Sequence, residues 1–187
     1  MGQVSHNNQL GPVARQLLAA SMLSGIVSGL TLMTSPLTLW AGPGALFGIA
    51  TGSVFVAKKW LDPVRAVIWV ILSTGAWFLA IESYVSHASG PGTSDSIQLY
   101  NMLASGALGA IIIALAFSLL VRKASPVGIV VTIASGCALA APMNWIIASG
   151  SGADSGPAGF AKMAAAFAIW QVGIGVTLLA YKPKSSR

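Results

Sequence analysis

A glutamine, Gln171, stands beside Trp170 near the middle of a long apolar run, 159–181. An amide at that depth has no water to bond, so it must find a partner on another helix or line a wet path for a solute. Asn144 follows Pro142 close to the end of a second apolar run, 127–148. A proline frees a backbone carbonyl, so this segment reads either as a polar vestibule or as a kink near a helix end. Glu82 and Lys162 fall at similar depth in two further segments. They could pair if their helices are neighbours, and a carboxylate there could also carry a coupled proton. These four residues are the candidates for a solute path or for interhelical polar contacts.

Catalytic chemistry has little to work with. The sequence holds no HExxH, no paired intramembrane aspartates, no Gly-rich loop ending in Lys-Ser/Thr and no intramembrane histidine cluster. His6 and His87 have no second ligand at metal-site spacing, and Cys137 is the single cysteine. The expectation is a protein without catalytic residues, cofactor or metal. Hydroxyls in the apolar runs, including Ser21, Ser24, Ser28, Thr31, Thr51, Ser73, Thr74, Thr132 and Ser135, are expected to bond their own helix or to pack closely.

The elements that must position these residues follow from composition. Of 187 residues, 55% are hydrophobic and only 7% charged, with a mean hydropathy of +0.79. So little charge cannot cover a water-soluble fold of this size, whereas a bilayer needs charge only in loops and tails. The net charge of +6 therefore points to membrane orientation and not to nucleic acid.

Apolar runs at about 16–34, 40–57, 64–84, 98–120, 127–148 and 159–181 lie near the ~20 residues a spanning helix requires. The fold class is thus all-α, a bundle of six transmembrane helices between an N-terminal tail, 1–15, and a basic C-terminal tail, 182–187. The N-terminal tail lacks the features of a secretory signal and is expected to be retained. Arg15, Lys58, Lys59, Arg65, Arg122, Lys123, Lys182, Lys184 and Arg187 all fall on one side of this layout, and Lys162 on the other. By the positive-inside rule both termini are cytoplasmic, in the cell's inner (plasma) membrane. Asp62-Pro63 and Ser125-Pro126 each join a good N-cap to a proline at the first helical position, and so start helices. Tryptophans 40, 60, 77 and 145 read as interfacial anchors.

Small residues mark packing faces. Gly44, Gly48 and Gly52 are spaced one helical turn apart, and Gly25 and Gly29 offer a similar groove in the preceding span. A short connection suggests that one groove receives the other; a subunit contact or a pore wall are the alternatives. Pro43 raises a further question, since a helix beginning there would hold only about fifteen residues, roughly 22 Å, too short for a bilayer. The other possibility is a longer helix, from near Leu37, that the proline interrupts. GALFGIATGSVFVAKKWLDP from Gly44 also aligns with GALGAIIIALAFSLLVRKASP from Gly106, matching Gly-Ala-Leu, a phenylalanine, a basic pair and a proline. Such a repeat is a common basis of transporter folds.

Leu10-Gly11 matches the end of the Asn-Pro-Ala-Pro-Leu-Gly motif of the acetate/succinate uptake family, which the chain resembles in size, six-span layout and placement of its termini. The resemblance is architectural. The rest of that motif and the family's many aromatic span residues are absent, so no residue role is carried over. The reading reached is a small-solute transporter or channel-like permease. Its alternative is a non-catalytic subunit or assembly factor of a larger membrane complex. Partners under the two readings are the lipid bilayer and a small solute, or a second copy or membrane-complex partner.

Overall fold

Four of the six helices begin on a proline, where the missing N–H costs nothing and the fixed φ favours the helix. The chain forms α1 (Leu10–Thr31), α2 (Pro36–Ala57), α3 (Pro63–Ala88), α4 (Asp95–Leu120), α5 (Pro126–Ala148) and α6 (Pro157–Leu178). This computed structural model describes residues 10–31, 36–88, 94–121, 125–148, 157–179 and 181. Residues 1–9 and 182–187, with His6, and the loop residues Arg122, Lys123 and Asp154 lie outside the described residues. All six helices are long and apolar enough to cross a membrane, which is compatible with a multi-pass membrane protein.

Local chemistry sets the ends. Asp62 Oδ1 accepts the Arg65 backbone N–H at 2.9 Å, and Ser125 Oγ accepts that of Gly128 at 3.0 Å, so both act as N-caps. Arg65 also pairs with Asp62 at 3.3 Å on the surface. Lys59 closes α2 with a φ of 58°. This left-handed residue lets Trp60 N–H reach back to the Phe55 carbonyl at 2.8 Å and turns Trp60 onto the core. Pro43 lies inside α2, so the short-span possibility does not hold: 22 residues make a helix of about 33 Å. At the N-terminus α1 starts at Leu10, taking in Arg15 and part of the expected tail.

Each helix packs against its neighbours in sequence, and α6 returns to α1, closing a ring. The most intimate pairs are α1 with α6, α2 with α3, and α4 with α5. Glycines explain all three. A Cβ on Gly25 would stand 2.5 Å from Ala168 Cα, and one on Gly29 would meet Ala164. A Cβ on Gly44 would lie 2.5 Å from the Ser73 carbonyl oxygen, and one on Gly48 would lie 2.8 Å from Val70 Cα. The expected seating of one glycine groove in the other is therefore corrected. The α1 face receives α6, and the α2 face receives α3.

The aligned segments make the same contact twice. A Cβ on Gly44 would touch Trp77 Cβ at 2.7 Å as well as the Ser73 carbonyl; one on Gly106 would touch Ala140 Cβ at 2.7 Å as well as the Gly136 carbonyl. Ser73 and Gly136 lie equally far past Pro63 and Pro126, as do Trp77 and Ala140. The aligned phenylalanines, Phe55 and Phe117, are both fully buried and meet edge to face at 5.4 Å. The hairpins α2–α3 and α4–α5 thus share this packing contact.

Candidate functional site

We call the end bearing Lys58, Lys59 and Arg65 the basic end. Close to it, around the last turns of α2 and α4 and the first turns of α3, aromatic side chains fill the core. Phe55 contacts Trp60, Trp69 and Phe117, and Phe117 contacts Tyr181 at 5.2 Å. Their polar atoms are satisfied internally. Trp69 Nε1 donates to Thr51 Oγ1 at 2.9 Å, Thr51 donates to the Phe47 carbonyl at 2.6 Å, and the Tyr181 and Thr132 hydroxyls share a hydrogen bond of 3.1 Å. This end of the bundle is closed by large, interlocked rings.

Toward the opposite end the packing changes. A partly open cavity of about 200 Å³ lies between α3, α4, α5 and α6. Trp77, Phe167 and Trp170 form its deep end, with Trp77 at 5.0 Å from Phe167 and 6.3 Å from Trp170. Met102, Met143 and Met163 line it nearer the helix ends, with Tyr84. Among the described residues, no carboxylate, amine or imidazole lines it. Such a chamber can hold a neutral molecule.

The residues singled out from sequence are not gathered in this chamber. Gln171 is 1% exposed and points the other way, to α1 and α2. Its Oε1 accepts a hydrogen bond from the Ser24 hydroxyl, while Nε2 donates to Ser28 Oγ at 3.2 Å and to the Pro43 carbonyl at 3.3 Å. Both amide hydrogens and the oxygen are engaged, so the group ties three helices together. Asn144 is half-buried on α5 and takes no hydrogen bond from its side chain among the described residues; its neighbour Met143 is the one that lines the cavity. Glu82 is exposed, its carboxylate accepting from Ser86 at 3.2 Å, and among the described residues no ion pair joins it to Lys162. Helices α3 and α6 are not ring neighbours, which removes the condition for that pairing.

One further expectation is revised. Trp77 is no interfacial anchor: it is 7% exposed and lies at the centre of the bundle, whereas Trp145 is 72% exposed at the end of α5. The cavity itself was not legible, because four different helices each supply two to five of its residues. The available signal was three methionines and four aromatic residues spread along those spans, which become neighbours only once the helices are laid side by side. Ser105, a cavity residue inside the small-residue run ASGALGA, carries no distinguishing mark in the sequence. No protein-family model, no curated protein and no solved structure matches the chain.

Proposed function

We propose that the protein is a small-solute transporter or channel-like permease of the cell's inner (plasma) membrane, with both termini cytoplasmic and no catalytic activity of its own. The observation that carries this reading is the one-sided chamber: a cavity of about 200 Å³ ends at Trp77 and Trp170, and the rings around Phe55 and Phe117 fill the core beyond it. Alternating access needs a binding space on one side of a packed barrier. Lys58, Lys59 and Arg65 favour a cytoplasmic position for the barrier end, which leaves the chamber facing outward. The twice-used hairpin packing adds support, since repeats that move against each other are the usual basis of such a cycle.

The alternative, a subunit or assembly factor, expects polar groups that only lock packing, as Gln171 does, and glycine faces that receive a partner. Gly25, Gly29, Gly44 and Gly48 are all covered within the chain. The test is flux through purified protein in proteoliposomes across a panel of small neutral solutes. Saturable flux is expected for at least one of them. A Cβ at Gly109 would reach Ala80 Cβ at an ordinary 3.4 Å, so Gly109→Ala should retain that flux, while Gly109→Leu should fill the chamber and lose most of it. A panel without flux, or a Gly109→Leu protein that transports like the parent, would remove the reading. Co-purification with defined membrane partners would then favour the alternative.

A further inference from the structure

A second hollow lies outside the chamber, an open groove of about 470 Å³ along the surface between α2 and α3. Gly52, Ser53, Ala57 and Ala66 contribute little bulk to it, while Ile49 and Val70 mark its end within the span. The Ser53 hydroxyl donates to the Ile49 carbonyl of its own helix at 2.7 Å, so the groove presents hydrocarbon almost throughout. From Ile49 to Ala57 it follows α2 for about 12 Å. At its other end stand Ala57 and Pro63, and the turn between them carries Lys58 and Lys59.

The charges of this turn are not balanced within the chain. Arg65 and Asp62 pair with each other at 3.3 Å. Among the described residues neither lysine has an ion pair or a side-chain hydrogen bond, and Lys58 is half-buried. Lys59 also holds a φ of 58°, where glycine carries no steric cost and a Cβ does. Glycine would satisfy the geometry of this turn, whereas lysine adds a second cation beside the first. At a membrane interface the counter-charge to hand is a lipid phosphate. From the juxtaposition of an apolar groove with two uncompensated cations at its end, we propose that the α2–α3 groove binds an anionic phospholipid. One acyl chain lies along Gly52, Ser53 and Ala66, and Lys58 and Lys59 hold the headgroup phosphate. A zwitterionic lipid brings its own cation to the lysines and is disfavoured, and free phosphate gains nothing from the groove. The site requires a bundle that spans a membrane and is independent of whether the chamber transports a solute.

The test titrates detergent-solubilised protein with dioleoylphosphatidylglycerol or dioleoylphosphatidylcholine, with and without inorganic phosphate, and counts retained lipid by native mass spectrometry. One phosphatidylglycerol should be held about 25-fold more tightly than phosphatidylcholine, since each lysine near anionic lipid contributes about fivefold. Inorganic phosphate should not displace it. Lys58→Gln and Lys59→Gly should each lower the preference about fivefold. Because Lys59→Gly relieves the left-handed backbone, its thermal midpoint should not fall, which separates loss of lipid from loss of fold. Ser53 is exposed in the groove, so Ser53→Phe should fill the groove, keep both charges and lose most of the retention of either lipid. Arg15 is exposed on α1, outside the groove helices, and Arg15→Gln should leave the preference unchanged. A preference absent from the parent, one that survives loss of both lysines, one that falls equally in Arg15→Gln, or retention unaltered by Ser53→Phe would overturn the inference. Displacement by inorganic phosphate would overturn it in favour of a soluble anion.

Discussion

Gln171 illustrates what one polar side chain can do where water is absent. Its amide reaches two hydroxyls of α1 and a backbone carbonyl of α2, so three helices share one fully satisfied group. The depth of Gln171 was readable from sequence, and so was its need for a partner. The identity of the partners was not, because Ser24 and Ser28 resemble every other small hydroxyl and the Pro43 carbonyl leaves no mark in a sequence. An interhelical hydrogen bond in a membrane contributes about 0.6 kcal/mol on average and up to ~1.7. Gln171→Leu, close in volume, should therefore lower stability by about 1–3 kcal/mol in a detergent-unfolding titration, since it also strands the Ser24 and Ser28 hydroxyls. A variant with undiminished stability would mean that the three-helix tie contributes nothing.

At the scale of helices, the spans were legible and their neighbours were not. Twenty apolar residues bounded by Pro, Asp or Ser announce a helix, and Asp62 and Ser125 cap where their types suggest. Lys59 ends α2 in a left-handed turn with no glycine to signal it. Which face a helix turns inward is harder, since these helices are apolar nearly all round and lipid and protein interior make similar demands. Glycine spacing marked the contact faces but not the partners, and a short connection favoured α1 with α2 where closing the ring joined α1 to α6. The glycines also separate by what a methyl group would meet. Gly25→Ala would drive a Cβ to within 2.5 Å of Ala168 Cα, and should cost about 1–3 kcal/mol as an overpacked site. At Gly75 a Cβ would meet nothing within 4 Å, so Gly75→Ala should stabilise α3 by up to ~1 kcal/mol through helix propensity. Thermal unfolding of the two variants in one detergent gives both signs, and equal shifts would contradict the assigned interface.

For the whole molecule, the division of the core into a ring-filled half and a hollow half follows from where the aromatic residues fall in the repeat. Phe55 and Phe117 occupy matching places and meet, closing the basic end, while the other repeated position holds Trp77 in one hairpin and Ala140 in the next. Alanine in place of a second large ring leaves that position less filled, and both residues line the cavity. If the basic end is cytoplasmic, the chamber lies on the side away from the cytoplasm, with the rings between. Tyr84, half-buried near the end of α3, lies on its outer reach. With the native Cys137 replaced by alanine, Tyr84→Cys should react with a membrane-impermeant thiol reagent added outside intact cells, and Lys59→Cys only after the membrane is permeabilised. Labelling of Tyr84→Cys from the cytoplasmic side alone would invert the orientation, and equal labelling from both sides would contradict the barrier formed by Phe55, Trp69 and Phe117.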